Sequence, residues 1–273
     1  MELRNTTIVI TGAARGIGLA ITEACVACGA RVAMVDILGD ELARSASALG
    51  DRRATVLPIT ADVTESDQVE AMIDRAETEL GPVEALVNNA ATFSWVGPTW
   101  EAPPEKWFRD LRVNLYGAFL CCQAALRRMV PRQRGYVINL VSSGGVGDPH
   151  AYSTSYASSK AGLMRLTEGL AREVAAHGIK VFALAPPAIL SDMTRFIMDD
   201  PGGRRWRPEF RQAFADGRQF HPASLIGRWT IDLLGGRADA LTGRYFLATR
   251  DFEEIVAQTD RILKEDSMTL RIR

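Results

Sequence analysis

Short apolar runs rich in β-branched residues recur along the chain, with longer amphipathic stretches between them. The runs are TIVIT (7–11), RVAMVD (31–36), ATVLPI (54–59), EALVNN (84–89), GYVINLVS (135–142), IKVFALA (179–185) and RYFLA (244–248). Several are nearly continuous apolar blocks, as strands buried on both faces should be. Strands alternating with helices predict βαβ units wound on a parallel sheet. No repeat, linker or low-complexity segment interrupts the pattern, so one α/β domain is expected over residues 1–273.

Two regions break the alternation. Residues 187–224 mix prolines, glycines, aromatics and arginines into short helical pieces. A segment this long and irregular inside a compact domain is expected to be a helical lid or binding loop. Beyond the last strand, residues 250–273 read as an added helix and tail, either a surface appendage or a subunit contact.

Composition narrows the picture by exclusion. A formal net charge of −1 gives no electrostatic reason to expect a nucleic acid or an anionic membrane as partner. No apolar run approaches the roughly 20 residues that span a bilayer. The N-terminus reads as a first strand rather than a signal peptide, and a cytoplasmic location is expected. Cys25 and Cys28 have CxxC spacing but lie in a small-residue helical run; Cys121 and Cys122 are adjacent in another. Both pairs read as small hydrophobes, and with His150, His177 and His221 scattered, no metal site is expected.

The candidate chemistry starts at TGAARGIG, where Gly12, Gly16 and Gly18 follow a strand and open a helix. Glycine permits a tight turn and close approach to a pyrophosphate, which a helix N-terminus favours. Asp36 ends the second strand, where a carboxylate can accept hydrogen bonds from ribose hydroxyls and repel a 2′-phosphate. Ile37 rather than arginine follows it, which predicts NAD over NADP, although Arg15 in the glycine turn is placed to touch a phosphate. Asp62 and Val63 follow the third strand and can meet an adenine ring, unless Asp62 or Thr64 only caps the next helix. Asn89 and Ala90 follow the fourth strand.

Tyr156 and Lys160 sit at i and i+4 of a helix and share a face. An ammonium beside a phenol favours the phenolate, so Lys160, together with the positive nicotinamide of an oxidised cofactor, is expected to lower the Tyr156 pKa toward the working range of a proton carrier. Ser143, thirteen residues before Tyr156, is placed to bond the same substrate oxygen, with Ser142 as its rival. Asn114 is an amide within a mainly apolar helical run, suited to a helix bend bonded to backbone or water.

In this order, TGAARGIG, Asp36, ADV, NNA, Asn114, Ser143 and YASSK resemble the short-chain dehydrogenase/reductase family over about residues 5–249. The resemblance implies a Rossmann-like, doubly wound parallel sheet of seven strands, a nicotinamide cofactor and commonly a homotetramer or homodimer. It implies Tyr156 as acid/base, Lys160 on the nicotinamide ribose and beneath the tyrosine, Ser143 on the substrate oxygen, and Asn114 in a water relay. Gly12, Arg15, Gly16, Ile17, Gly18, Asp36, Ile37, Asp62, Val63, Asn89, Ala90, Tyr156, Lys160 and Ile189 would then line the cofactor. The thirteen-residue interval favours Ser143 over Ser142.

Three features depart from the family pattern. Ala91 replaces the glycine of NNAG. Phe182 stands at the usual asparagine of the sixth strand, and Pro186 with Pro187 replaces Pro-Gly. The C-terminal extension is the third. Ser191 aligns with a common threonine.

The expected function is NAD-dependent hydride transfer between nicotinamide and a secondary alcohol or ketone. The competing readings are a silent NAD-binding sensor or scaffold, and an epimerase or dehydratase that retains its cofactor. Phe93, Trp95, Trp100, Phe196, Met198, Trp206, Phe210, Phe214 and Phe220 suit a hydrophobic substrate or simply anchor the lid. Arg195, Arg204, Arg205 and Arg207 suit a substrate carboxylate or solvent.

Overall fold

The computed structural model describes residues 3–49, 55–146, 151–216 and 220–271. All seven apolar runs form strands: β1 (Thr7–Thr11), β2 (Arg31–Asp36), β3 (Val56–Thr60), β4 (Val83–Asn88), β5 (Gly135–Leu140), β6 (Ile179–Ala185) and β7 (Tyr245–Leu247). They make one parallel sheet in the order β3-β2-β1-β4-β5-β6-β7. Chain order reverses between β1 and β4. A crevice therefore opens beyond their carboxyl ends, the place where such sheets bind ligands.

Parallel neighbours require crossovers, and helices supply them on both faces. The helices through the catalytic half are α1 (Gly16–Ala27), α2 (Gly39–Ala48), α3 (Ser66–Leu80), α4 (Pro104–Leu111), α5 (Ala118–Arg132), a single turn α6 (Ser143–Val146) and α7 (Thr154–Glu173). Alternate residues of each strand enter separate cores. Ile8 and Ile10 of β1 join the core under α1, while Val9 joins the one under α3 and α5. Phe182, at the unusual position of β6, is fully buried and meets Phe246 of β7 edge to face, ring centres 5.7 Å apart. Its aromatic ring fills core volume.

The lid consists of α8 (Asp192–Asp199), α9 (Pro201–Trp206) and α10 (Pro208–Ala215); residues 217–219 lie outside the described residues. Its breaks follow from sequence. Proline occupies the first position of α9 and of α10, where its missing N–H costs nothing. The Asp200 carboxylate caps α9 by accepting from Gly202 N at 2.8 Å and Gly203 N at 3.1 Å. Ser191, paired with Thr194, caps α8.

Helix α11 (Ser224–Leu234) packs on α1 and precedes β7. The extension forms two short helices rather than one, α12 (Phe252–Ala257) and α13 (Thr259–Lys264). The chain then folds back on itself: Tyr245 N donates to Met268 O at 2.9 Å, and Leu270 N to Glu168 at 2.8 Å. Part of the otherwise open edge at β7 is thereby covered. Among the described residues no helix is long and apolar enough to cross a membrane.

Candidate active site

The turn after β1 is built around backbone that only glycine takes readily. Gly12 has φ +66° and Gly16 φ +57°. A Cβ on Gly18 would lie 2.1 Å from Gly12 O, whereas one on Gly16 would meet nothing within 4 Å. Gly18 thus lets helix and turn pack closely, and Gly16 borders open space. Arg15 precedes α1 without a side-chain cap, so no side chain of the turn competes for the helix's first N–H groups. Its guanidinium is turned elsewhere, pairing with Asp192 of the lid at 2.9 Å and Glu41 at 3.4 Å.

Asp36 stands at the end of β2 beside this turn. One carboxylate oxygen accepts from Ala14 N at 3.0 Å and the other from Leu38 N at 3.1 Å. Each oxygen keeps a second acceptor direction. Ile37 is exposed next to it. Asp62 accepts from Thr64 N at 2.8 Å, but Glu65 holds the N-cap position of α3, and neither Asp62 nor Thr64 caps it. Val63 is buried against Gly117. The Asn89 amide donates to Thr11 O and Gly12 O at 3.0 and 2.9 Å, so it braces the turn instead of reaching across it. Ala90 N donates to the Thr11 hydroxyl. Ile189 is buried and bridges to His221.

The crevice, left-handed glycines, uncapped helix start and ribose-height carboxylate fit a dinucleotide. Gly12, Gly16, Ile17 and Gly18 would face its phosphates and Asp36 its adenosine ribose.

Tyr156 and Lys160 share one face of α7, the Lys160 ammonium 5.7 Å from the ring centre. Lys160 is buried and donates to Leu140 O at 2.7 Å. Burial lowers its pKa to about 8. The tyrosine departs from expectation: burial pushes its phenol up to about 12, a hydrogen bond with Ser142 opposes this, and the charge of Asp110 adds to it. Desolvation outweighs the lysine in the cofactor-free protein.

Ser142, the rival of Ser143, is the serine that influences the Tyr156 phenol. Ser143 is exposed at the start of α6. The thirteen-residue interval runs through residues 147–150, outside the described residues, and no local rule fixes which of two adjacent serines meets the tyrosine.

Asn114 is buried on a π-helical turn, Arg112–Gly117, between α4 and α5. Its oxygen accepts from Thr92 N at 2.7 Å, and its amide donates to Thr92 O at 2.9 Å and Ser159 Oγ at 3.0 Å. The Ser159 hydroxyl donates to Tyr156 O at 2.7 Å. Asn114 thus reaches the catalytic helix through Ser159.

Of the nine apolar candidates, Phe93 stacks on Tyr156 at 4.8 Å and Phe210 packs in the same cluster, with Met193, Val96 and Ile197. Trp206 lies on Tyr152 at 4.6 Å, Phe214 against Phe220, and Trp100 is 82% exposed. Arg207 alone of the four arginines is buried; it donates to Ser153 Oγ at 2.8 Å, bonds Glu209 and lies 4.7 Å from the Phe210 ring. Arg205 stacks on Trp206 and Arg204 pairs with Asp199.

His150 lies outside the described residues. His177 is at the opposite, amino end of β6. Cys25, Cys121 and Cys122 are buried, burial raising the Cys25 thiol to about 12, and Cys28 is exposed. Among the described residues no His, Cys, Asp or Glu group is arranged to hold a metal ion.

One neighbour of Tyr156 escapes the sequence reading, Asp110. The signal for Asp110 was present: it sits four residues before Asn114, hence on the same helical face.

Comparison with known proteins agrees with this arrangement. The short chain dehydrogenase family matches residues 6–202. The chain is 36% identical over 247 residues to 2-(S)-hydroxypropyl-CoM dehydrogenase 3 of Xanthobacter autotrophicus, covering 90% of this chain and 95% of that one. It is 34% identical to galactitol 2-dehydrogenase of Agrobacterium fabrum, covering 95% and 96%. Among solved structures, actinorhodin polyketide ketoreductase with NADPH superposes with a TM-score of 0.81 at 26% identity, over 89% of this chain and 95% of that one. With a tyrosine and lysine on one helix face beside a glycine-lined crevice, the chain belongs to the short-chain dehydrogenase/reductase family, oxidoreductases that use a nicotinamide cofactor on alcohol and carbonyl groups.

Proposed function

We propose that this protein is an NAD-dependent dehydrogenase of a secondary alcohol, acting reversibly on the corresponding ketone. The observation that carries the reading is Tyr156 of α7, with Ser142 and Lys160 beside it, in a chain of the short-chain dehydrogenase/reductase family. When bound, the nicotinamide accepts the hydride from the carbinol carbon or returns it to the ketone. Tyr156 Oη takes the hydroxyl proton in oxidation and gives it to the carbonyl oxygen in reduction. Ser142 Oγ holds the same oxygen, and the buried Lys160 ammonium favours the phenolate as it forms. Phe93 covers one side of the Tyr156 ring. The named relatives, which by their names oxidise a hydroxypropyl group and a sugar alcohol, suit a secondary alcohol as substrate.

Asp36 supports NAD, since its carboxylate would repel a 2′-phosphate, and Arg15 is already countered by Asp192 and Glu41. Calorimetry is expected to give NAD binding at least tenfold tighter than NADP. Asp36→Ala should erase about a tenfold or greater share of that preference, the size of a charge-assisted hydrogen bond plus the lost repulsion. Equal affinities in the native protein would contradict the NAD assignment.

A homo-oligomer is part of the same proposal. Phe108, Tyr116 and Phe119 are exposed on α4, the π turn and α5, bordering a groove of about 540 Å³ with Leu111, Leu115 and Leu166. So continuous an apolar face suits a second copy of the chain. Phe119→Glu is expected to give a smaller species by light scattering, whereas an unchanged mass would move the interface elsewhere.

A further inference from the structure

Asp110 is a fully buried carboxylate on α4, the helix that packs against α7. Its Oδ1 accepts from Ser94 N at 2.9 Å and its Oδ2 from Ser155 Oγ at 2.6 Å. Each partner is the chain neighbour of a group at the reaction centre. Ser94 follows Phe93, whose ring stacks on Tyr156, and Ser155 precedes Tyr156 itself. The Ser94 hydroxyl lies 3.2 Å from that of Thr92, whose backbone is held by Asn114. A charge in such a place is costly unless its hydrogen bonds are made, and these two are.

We propose that Asp110 is a positioning residue for Tyr156: it fixes the loop bearing Phe93 and the first turn of the catalytic helix, and its negative charge keeps the phenol protonated until a cationic nicotinamide is bound. This rests on Tyr156 being the acid/base. The polar and charged groups facing Tyr156 are Lys160 from its own helix, Ser142 beyond β5 and Asp110 from α4. Phe93, whose ring lies against Tyr156, and the cluster it belongs to, with Val96, Ile197, Met193 and Phe210, are uncharged. Arg109 is the charged neighbour of Asp110. Asp110 and Lys160 therefore act on the phenol in opposite senses.

The test is the tyrosinate absorbance of the NAD-saturated protein against pH, with the Tyr156 contribution isolated by subtracting Tyr156→Phe. Asp110→Asn keeps the shape and removes the charge. Its midpoint is expected about one pH unit below that of the native protein, as for a unit charge one shell away at intermediate dielectric. Asp110→Glu keeps the charge and should stay near the native midpoint. Should Asp110→Asn fold poorly, Asp110→Val removes the charge without asking for partners, a change that buried sites often tolerate. An unmoved midpoint in a folded neutral variant would overturn the proposal, as would loss of fold in both. Failure of NAD to bind in calorimetry would instead sink the cofactor reading, and the same titration without NAD still reports on Asp110.

Discussion

Tyr156→Phe is expected to lower turnover about a thousandfold, the scale of a lost general acid/base, while leaving NAD affinity and thermal stability near those of the native protein. The substitution is nearly silent structurally. The phenylalanine ring retains the packing on Phe93, with centres 4.8 Å apart, and only the hydroxyl and its bond with Ser142 disappear. Because burial holds the phenol up to about 12, the native protein at neutral pH carries a proton there. Ketone reduction needs that proton and should fall as pH rises through the holoenzyme's tyrosine pKa; alcohol oxidation needs its absence and should rise over the same range. Both trends should vanish in Tyr156→Phe. Initial rates across pH, with calorimetric NAD binding as control, check this. Residual turnover within tenfold of native would transfer the proton step to another group.

Ser142→Ala is expected to cost about a hundredfold in kcat, the order seen when one donor to a developing oxyanion is removed, while Ser143→Ala stays within about twofold, as surface changes usually do. The contrast follows from placement alone. Ser142 bonds the phenol, and Ser143 faces solvent at the first residue of α6. The pair forms a strict internal comparison, since both changes delete one hydroxyl from adjacent positions. Steady-state kinetics of the two variants decide it, and the reverse ranking would restore Ser143.

The contrast between those serines also marks how far the sequence could be read. Strands and glycine turn were legible because their signals are local: continuous apolar, β-branched runs and closely spaced glycines act within a few residues. Tyr156 and Lys160 were legible because a helix fixes i and i+4 on one face. The choice between the serines rested on an interval through residues 147–150, outside the described residues, and not on a local rule. A neighbouring cation is visible in sequence and desolvation is not; in the cofactor-free protein burial raises the Tyr156 phenol, with Phe93 reaching it from a distant segment. Arg15 shows the same limit, since its partners Glu41 and Asp192 come from α2 and the lid. Asp110 gains its place beside Tyr156 only through the packing of α4 on α7, which joins distant segments.

The central claim is hydride transfer to NAD with the proton passing through Tyr156. Its most direct test is the absorbance of reduced nicotinamide on mixing the native protein with NAD, or with NADP, and a panel of cyclic, hydroxy-acid and polyol secondary alcohols. The account predicts NADH formation with at least one class, weaker with NADP and lost in Tyr156→Phe. Tight NAD binding with no reduction across the panel, and no oxidation of NADH by the matching ketones, would contradict it and leave a cofactor-binding protein without turnover.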